Sequence, residues 1–186
     1  MNEKEKKLIE EALQLFSIEG AEYTMLRHNE NISCKVCVSD KNYSLRIHCP
    51  VEEFNTNLVN CGYDAYKQFQ DEVELICYMR EHGFPELQEP VAGPDGKFIY
   101  KLSDGSPAML LSWISGRPIE ESEGKKHARE LGRLAARIHL SSKGFSGRRI
   151  SYDEPLIDRL IDEIGSAVNC GHISPNKGDI CINELK

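Results

Sequence analysis

No apolar run in the 186 residues approaches the roughly 18 that a membrane-spanning helix requires, so no helical span is predicted and no membrane partner is expected. Basic charge is also in short supply. Against 30 Asp and Glu stand 23 Lys and Arg, a net charge of -7, which argues against a surface that tracks nucleic-acid phosphates. With 14 glycines and 8 prolines the chain has too little of either for wholesale disorder, and it carries no internal repeat or low-complexity segment. No secretory leader is expected from the opening residues either: the charged stretch Met1 to Lys7 is followed by Glu10 and Glu11, which interrupt any apolar run. The seven cysteines are an odd number, so the expectation is reduced thiols in a cytoplasmic protein. What is present is 40% hydrophobic and 28% charged residues, enough for a buried core in one domain or two small lobes.

Periodicity divides the chain. Leu8, Ile9, Ala12, Leu13 and Phe16 recur at helical spacing, and Gly20 follows as a stop, which predicts a helix over residues 3–18. Three β-prone runs come next, 22–27, 32–38 and 42–48. The turn-forming Asn29-Glu30-Asn31 and Ser39-Asp40-Lys41 separate them, so they form a meander. Residues 50–64 show no period and read as a loop. Ala65, Phe69, Val73, Ile76 and Met79 then describe an amphipathic helix up to His82-Gly83, with Glu72 on its inward side. Two further strands, 97–102 and 108–113, read as a hairpin about Ser103-Asp104-Gly105. After Gly116-Arg117-Pro118 the pattern is helical: 127–139, then 155–168 with Pro155 in its first turn and Asp153 as cap, then a short helix from Ser174-Pro175. The class is α+β: a five-stranded antiparallel sheet with a helix packed on it, followed by a helical layer.

One cluster has metal-ligand chemistry, Cys34-x-x-Cys37 with His48, Cys49 and Cys61. An odd separation along a strand sends Cys34 and Cys37 to opposite faces, so no metal site is expected. His139, on the apolar side of its helix, reads as a packed core histidine.

Four stretches together carry a resemblance. Glu30-Asn31-Ile32-Ser33-Cys34-Lys35-Val36 places an Asn at the head of a second strand. Tyr43-Ser44-Leu45-Arg46-Ile47-His48 puts a cation in a third strand. Asp71-Glu72-Val73-Glu74-Leu75-Ile76 supplies a helical carboxylate, and Met109-Leu110-Leu111-Ser112-Trp113-Ile114-Ser115-Gly116-Arg117 is a strand running into a linker. In order and spacing the chain resembles the amino-terminal portion of the aminoglycoside phosphotransferase and choline kinase-like family, which has a protein-kinase-like fold. The helix over His127 to His139 is similar to that family's first large-lobe helix.

The resemblance implies a kinase-like small lobe over 1–111, a hinge over 112–118 and the first helices of an incomplete large lobe over 119–186. It implies ATP as cofactor, with Arg46 on the α and β phosphates and Glu72 orienting its guanidinium. Asn31 would lie near the phosphates, Val36 would cover the base and Leu111 would line the back of the pocket. At the hinge the Ser112 carbonyl and the Ile114 amide would read the adenine edge. No glycine-rich loop appears at Arg27-His28-Asn29-Glu30, a departure from protein kinases. The family's His-Gly-Asp catalytic loop, with Asn five residues on, is not found either. Lys177-Gly178-Asp179 with Asn183 is a misspaced near match.

No catalytic or metal-binding residue is therefore assigned, and magnesium is expected only where further large-lobe residues supply it. The expectation is a truncated, nucleotide-binding part of an ATP-dependent small-molecule phosphotransferase, inactive by itself. Its partners would be a nucleotide and, in a fuller form, a small-molecule acceptor, with self-association through the uncovered helices. The alternative is a non-catalytic nucleotide-binding or interaction module, a pseudokinase-like partner.

Overall fold

Asn2 and Glu5 set the start of the first helix. In the computed structural model, which describes residues 1–51, 63–117, 119–120, 123–147 and 154–185, the Glu5 amide donates to the Asn2 side chain at 2.9 Å and the Asn2 amide donates to Glu5 Oε2 at 2.6 Å. This capping box satisfies two otherwise orphaned donors, and α1 runs Glu3–Leu15. It stops short of residue 18 because Ser17 takes a φ of 55°. The Ile18 amide then returns to the Leu13 carbonyl at 2.9 Å and closes the last turn. Leu8, Ile9, Ala12 and Leu13 are buried against the sheet.

The meander is β1 (Glu22–His28), β2 (Asn31–Val38) and β3 (Lys41–His48), all antiparallel. Strict alternation in β2 buries Ile32, Cys34 and Val36 on the α1 face and leaves Ser33 and Lys35 half-buried on the other. Register carries this across the sheet: Ile32 pairs with Ile47, Cys34 with Leu45, and these with Ala108 and Leu110. Each of the Ile and Leu side chains taken fully out of water here contributes roughly 1.5–3 kcal/mol, which makes this layer the main core.

Three short strands complete the sheet, β4 (Pro90–Val91), β5 (Ile99–Lys101) and β6 (Pro107–Ser112). The order is β1-β2-β3-β6-β4, and β5 pairs with the other half of the same β6 edge. The sheet thus has six strands where the sequence pattern shows five. The addition is β4, two residues long and headed by a proline without an amide donor, too short to display any period. The expected turn at Ser103-Asp104-Gly105 joins β5 to β6, with Gly105 at a φ of 91° and its amide on the Leu102 carbonyl at 2.9 Å.

Helix α2 (Ala65–Glu81) covers the second face of the sheet. The Asp64 side chain caps it by accepting from the Lys67 amide at 3.0 Å, and Phe69 and Val73 pack on Ile99, Met109 and Leu111. β6 is therefore buried on both sides, toward α1 through Ala108 and Leu110 and toward α2 through Met109 and Leu111. Helix α3 (Gly124–Ser141) belongs to the same compact unit. Tyr78 donates to the Lys143 carbonyl at 2.7 Å beyond its end, and Arg137 lies 4.5 Å from the Phe84 ring centroid. His139 is exposed, so it is not the core histidine the apolar pattern suggests. Leu131, Leu134 and Ile138 on the same stripe are exposed with it.

A second unit contains α4 (Glu154–Asn169) and α5 (Pro175–Leu185). A side chain at Gly178 would run into Val168, so glycine there lets α5 lie close on α4. Asp179 and Asn183 are both within α5, which makes the misspaced near match a stretch of helix. Residues 52–62 of the expected loop, Cys61, Pro118 and the expected cap Asp153 lie outside the described residues. Among the described residues no helix is long and apolar enough to cross a membrane.

Candidate functional site

Arg46 sits in the middle of β3, in register with Ser33 of β2 and Met109 of β6, so its side chain leaves the sheet on the α2 face. Glu72, two turns into α2, meets it: Arg46 Nη1 donates to Glu72 Oε1 in a close ion pair. The guanidinium carbon also lies 5.4 Å from the Phe69 ring centroid. The two side chains keep 26% and 35% of their exposure, so the pair adds at most about 1 kcal/mol to stability. Its effect is geometric. A guanidinium gripped on one side by a carboxylate and backed by a ring presents its remaining donors in a fixed direction.

The same face holds Asn31, Ser33 and Lys35 from β2, His48 from β3 and Leu111 from β6. Lys35 Nζ lies 5.3 Å from the Trp113 ring centroid, which places a second cation between Arg46 and the residues after β6. His48 meets the edge of Phe69 at 6.4 Å between centroids, and burial holds its imidazole pKa below the ordinary 6.5. Asn31 pairs with His48 across the strands, and its buried Oδ1 has no hydrogen-bond partner among the described residues.

Two expectations need correction. Val36 does not border this face. It is fully buried on the α1 side, because its even position in β2 shares the parity of Ile32 and Cys34. Lys35, one residue earlier, is what the sheet turns toward Arg46. The signal for it is the polar run of odd positions Asn31, Ser33 and Lys35, matched in register to Arg46.

The second correction concerns Ser112, whose backbone is not free. Its amide donates to the Glu89 carbonyl at 2.8 Å, its carbonyl accepts from Gln88 Nε2 at 2.9 Å, and its Oγ accepts from the Glu89 amide at 2.8 Å. Leu111 is buried against Phe69 and Val73 on the Arg46 face. The Trp113 amide donates to the Asn42 carbonyl at 3.3 Å. Ile114 lies beyond the strand, exposed, and its amide has no partner among the described residues.

Cys34 is in the core, where burial pushes its thiol pKa up to about 11, while Cys37 donates from the other face to Asn42 Oδ1 at 3.0 Å. The two are on opposite faces, as their spacing dictates. Among the described residues no group of three or more His, Cys, Asp or Glu side chains is placed to hold a metal. A groove of about 330 Å³ runs along another side of α2, lined by Tyr66, Val73, Cys77, Lys97 and Phe98. It includes neither Arg46 nor Ile114.

This lobe has known counterparts. An aminopropanol kinase associated with a microcompartment superposes with a TM-score of 0.58 at 18% identity, over 80% of this chain and 45% of that one. A spectinomycin phosphotransferase, crystallised with ADP and spectinomycin, superposes with a TM-score of 0.55 at 14% identity, over 88% and 46%. The fold is kinase-like. The resemblance drawn from Asn31, Arg46, Glu72 and the strand into the hinge is borne out at the level of that fold, and the neighbours that share it are small-molecule kinases. In sequence, the chain is 40% identical over 60 residues to homoserine kinase of Agrobacterium fabrum, a match spanning 32% of this chain and 18% of that enzyme. Homoserine kinase of Burkholderia thailandensis is 32% identical over 73 residues, 39% of this chain and 21% of that enzyme. The kinase-like chain therefore spans about a fifth of the curated relatives it matches and under half of the solved structures. No protein-family model matches it.

Proposed function

We propose that this chain is the nucleotide-binding, amino-terminal part of an ATP-dependent small-molecule phosphotransferase. The observation that carries the reading is Arg46, held by Glu72 on the α2 face of a kinase-like sheet. In phosphoryl transfer the protein positions the nucleotide and neutralises charge on the phosphates. Arg46 supplies charge-assisted donors to the α and β phosphates, and Glu72 fixes their direction. Lys35 adds a second positive charge to the same face. The Ile114 amide, a donor without a partner, suits the acceptor edge of a purine, and Leu111 forms the floor behind it. Asn31 stands at the turn between β1 and β2, where its unpaired Oδ1 is ready for a hydroxyl or a bound water.

Magnesium is expected only where further large-lobe residues supply its carboxylates, since among the described residues no three His, Cys, Asp or Glu side chains gather to hold a metal. The 186 residues also hold no His-Gly-Asp loop, which favours a non-catalytic nucleotide-binding role for this stretch acting alone. With the remaining large-lobe residues the acceptor is a small-molecule alcohol in a cytoplasmic enzyme, and homoserine is the first to test. Titration with a fluorescent ATP analogue checks the site. Arg46→Ala should weaken binding roughly tenfold or more, the worth of a charge-assisted hydrogen bond. Lys97→Ala, beside the other groove, should leave it within about twofold. Equal losses would remove Arg46 from the site.

A further inference from the structure

Ser112 is gripped on three atoms by two consecutive residues, Gln88 and Glu89. The segment that delivers them is itself pinned to the end of α2. Arg80 donates to the Pro85 carbonyl at 2.7 Å and to the Leu87 carbonyl, and its other Nη lies 3.4 Å from the Glu89 carboxylate. Gln88 therefore reaches the hinge from a held connector. Its nitrogen faces the Ser112 oxygen because a carbonyl can only accept.

Along an extended segment the amide and carbonyl of residue i point to the same edge as those of residue i+2. The Ser112 amide and carbonyl point toward Glu89 and Gln88, and the Trp113 amide turns to the opposite edge, toward Asn42. The unpaired Ile114 amide follows Ser112 by two. Were the chain to continue extended past β6, which ends at Ser112, the Ile114 amide would share the Ser112 edge, and an acceptor at 112 with a donor at 114 would match the 6-amino group and N1 of adenine. The carboxamide nitrogen of Gln88, 2.9 Å from the Ser112 oxygen, occupies the place the 6-amino group would take. A base amine must share that oxygen with Gln88 or displace it.

We infer that Gln88 is a specificity-determining residue that lowers the preference for adenine over guanine nucleotides at this hinge. The inference rests on the nucleotide-binding reading above. With the carbonyl filled, the base is read chiefly by the Ile114 amide, which can donate to N1 of adenine or to O6 of guanine alike. Adenine keeps no advantage from its amine, and guanine meets no bare carbonyl to repel its 6-oxo group.

The test is parallel titration of ATP and GTP, followed through the single tryptophan, Trp113, in the native chain and in Gln88→Leu and Gln88→Ala. Leu keeps the volume without the donor, and Ala removes both. The native chain should bind the two nucleotides within about threefold of each other. Each variant should gain roughly fivefold for ATP, the worth of one neutral hydrogen bond, and lose affinity for GTP, whose 6-oxo group then meets the bare Ser112 carbonyl. A native preference for ATP above about tenfold, or an ATP to GTP ratio that neither variant moves, overturns the role of Gln88 while nucleotide binding stands. Binding of neither nucleotide by any of the three proteins overturns the nucleotide reading and this inference together.

Discussion

Side-chain parity decides what Arg46 can do. One residue along β3 in either direction would turn it into the apolar layer beneath α1, where Leu45 and Ile47 are fully buried. The same parity excludes Val36 and admits Lys35. Glu72→Gln should cost less nucleotide affinity than Arg46→Ala, roughly threefold, because a neutral amide oxygen still accepts from the guanidinium but with less strength. A larger loss for Glu72→Gln in the same titration would mean that the carboxylate itself touches the ligand. His48 adds a pH dependence. Burial holds its folded pKa below 6.5, so between that lowered value and 6.5 the unfolded chain binds the proton that the folded chain refuses. Stability therefore falls as pH drops through 6.5 and levels off below the folded pKa. Thermal unfolding between about pH 7.5 and 5.5 should show this decline, and His48→Gln should flatten it. An unchanged slope in that variant assigns the decline to another group.

Strong local signals made most elements legible. The three strands of the meander begin and end within a residue or so of the turns that Asn29-Glu30 and Ser39-Asp40 mark, and α2 stops at His82 before Gly83. What the sequence could not disclose depends on contacts between distant segments. β4 is two residues defined by pairing to Leu110 and Leu111. The tie from Gln88 and Glu89 to Ser112 crosses more than twenty positions, and nothing in the residue types announces it. The Arg46 to Glu72 pair was legible because strand position and helix phase each point the side chain to one known face. At the second unit the account predicts that Gly178→Ala destabilises the packing of α5 on α4, since the added methyl meets Val168. The expected loss is about 1 kcal/mol or more of overpacking, offset in part by the better helix propensity of Ala. Val168→Ala in the same chain should restore the melting temperature. Failure of that rescue would place the glycine's role elsewhere.

Taken whole, the chain pairs a well-buried sheet unit with helices that carry exposed apolar stripes, Leu131, Leu134 and Ile138 on α3 among them. On the proposed reading the sheet unit offers Arg46, Lys35 and the Ile114 amide to a nucleotide, and among the described residues no three His, Cys, Asp or Glu side chains gather to hold the metal of phosphoryl transfer. Purified 186-residue chain should thus bind ATP yet show no magnesium-dependent transfer to homoserine, aminopropanol, choline or an aminoglycoside. Transfer that Asp179→Asn abolishes would show that α5 rearranges into a working loop. The most direct test of the central claim is a crystal structure of the chain with a non-hydrolysable ATP analogue. The account predicts phosphates against Arg46 and Lys35 and the base edge at the Ile114 amide, with the Arg46 to Glu72 pair intact. A nucleotide seated elsewhere, or Arg46 turned away from the phosphates, would contradict it.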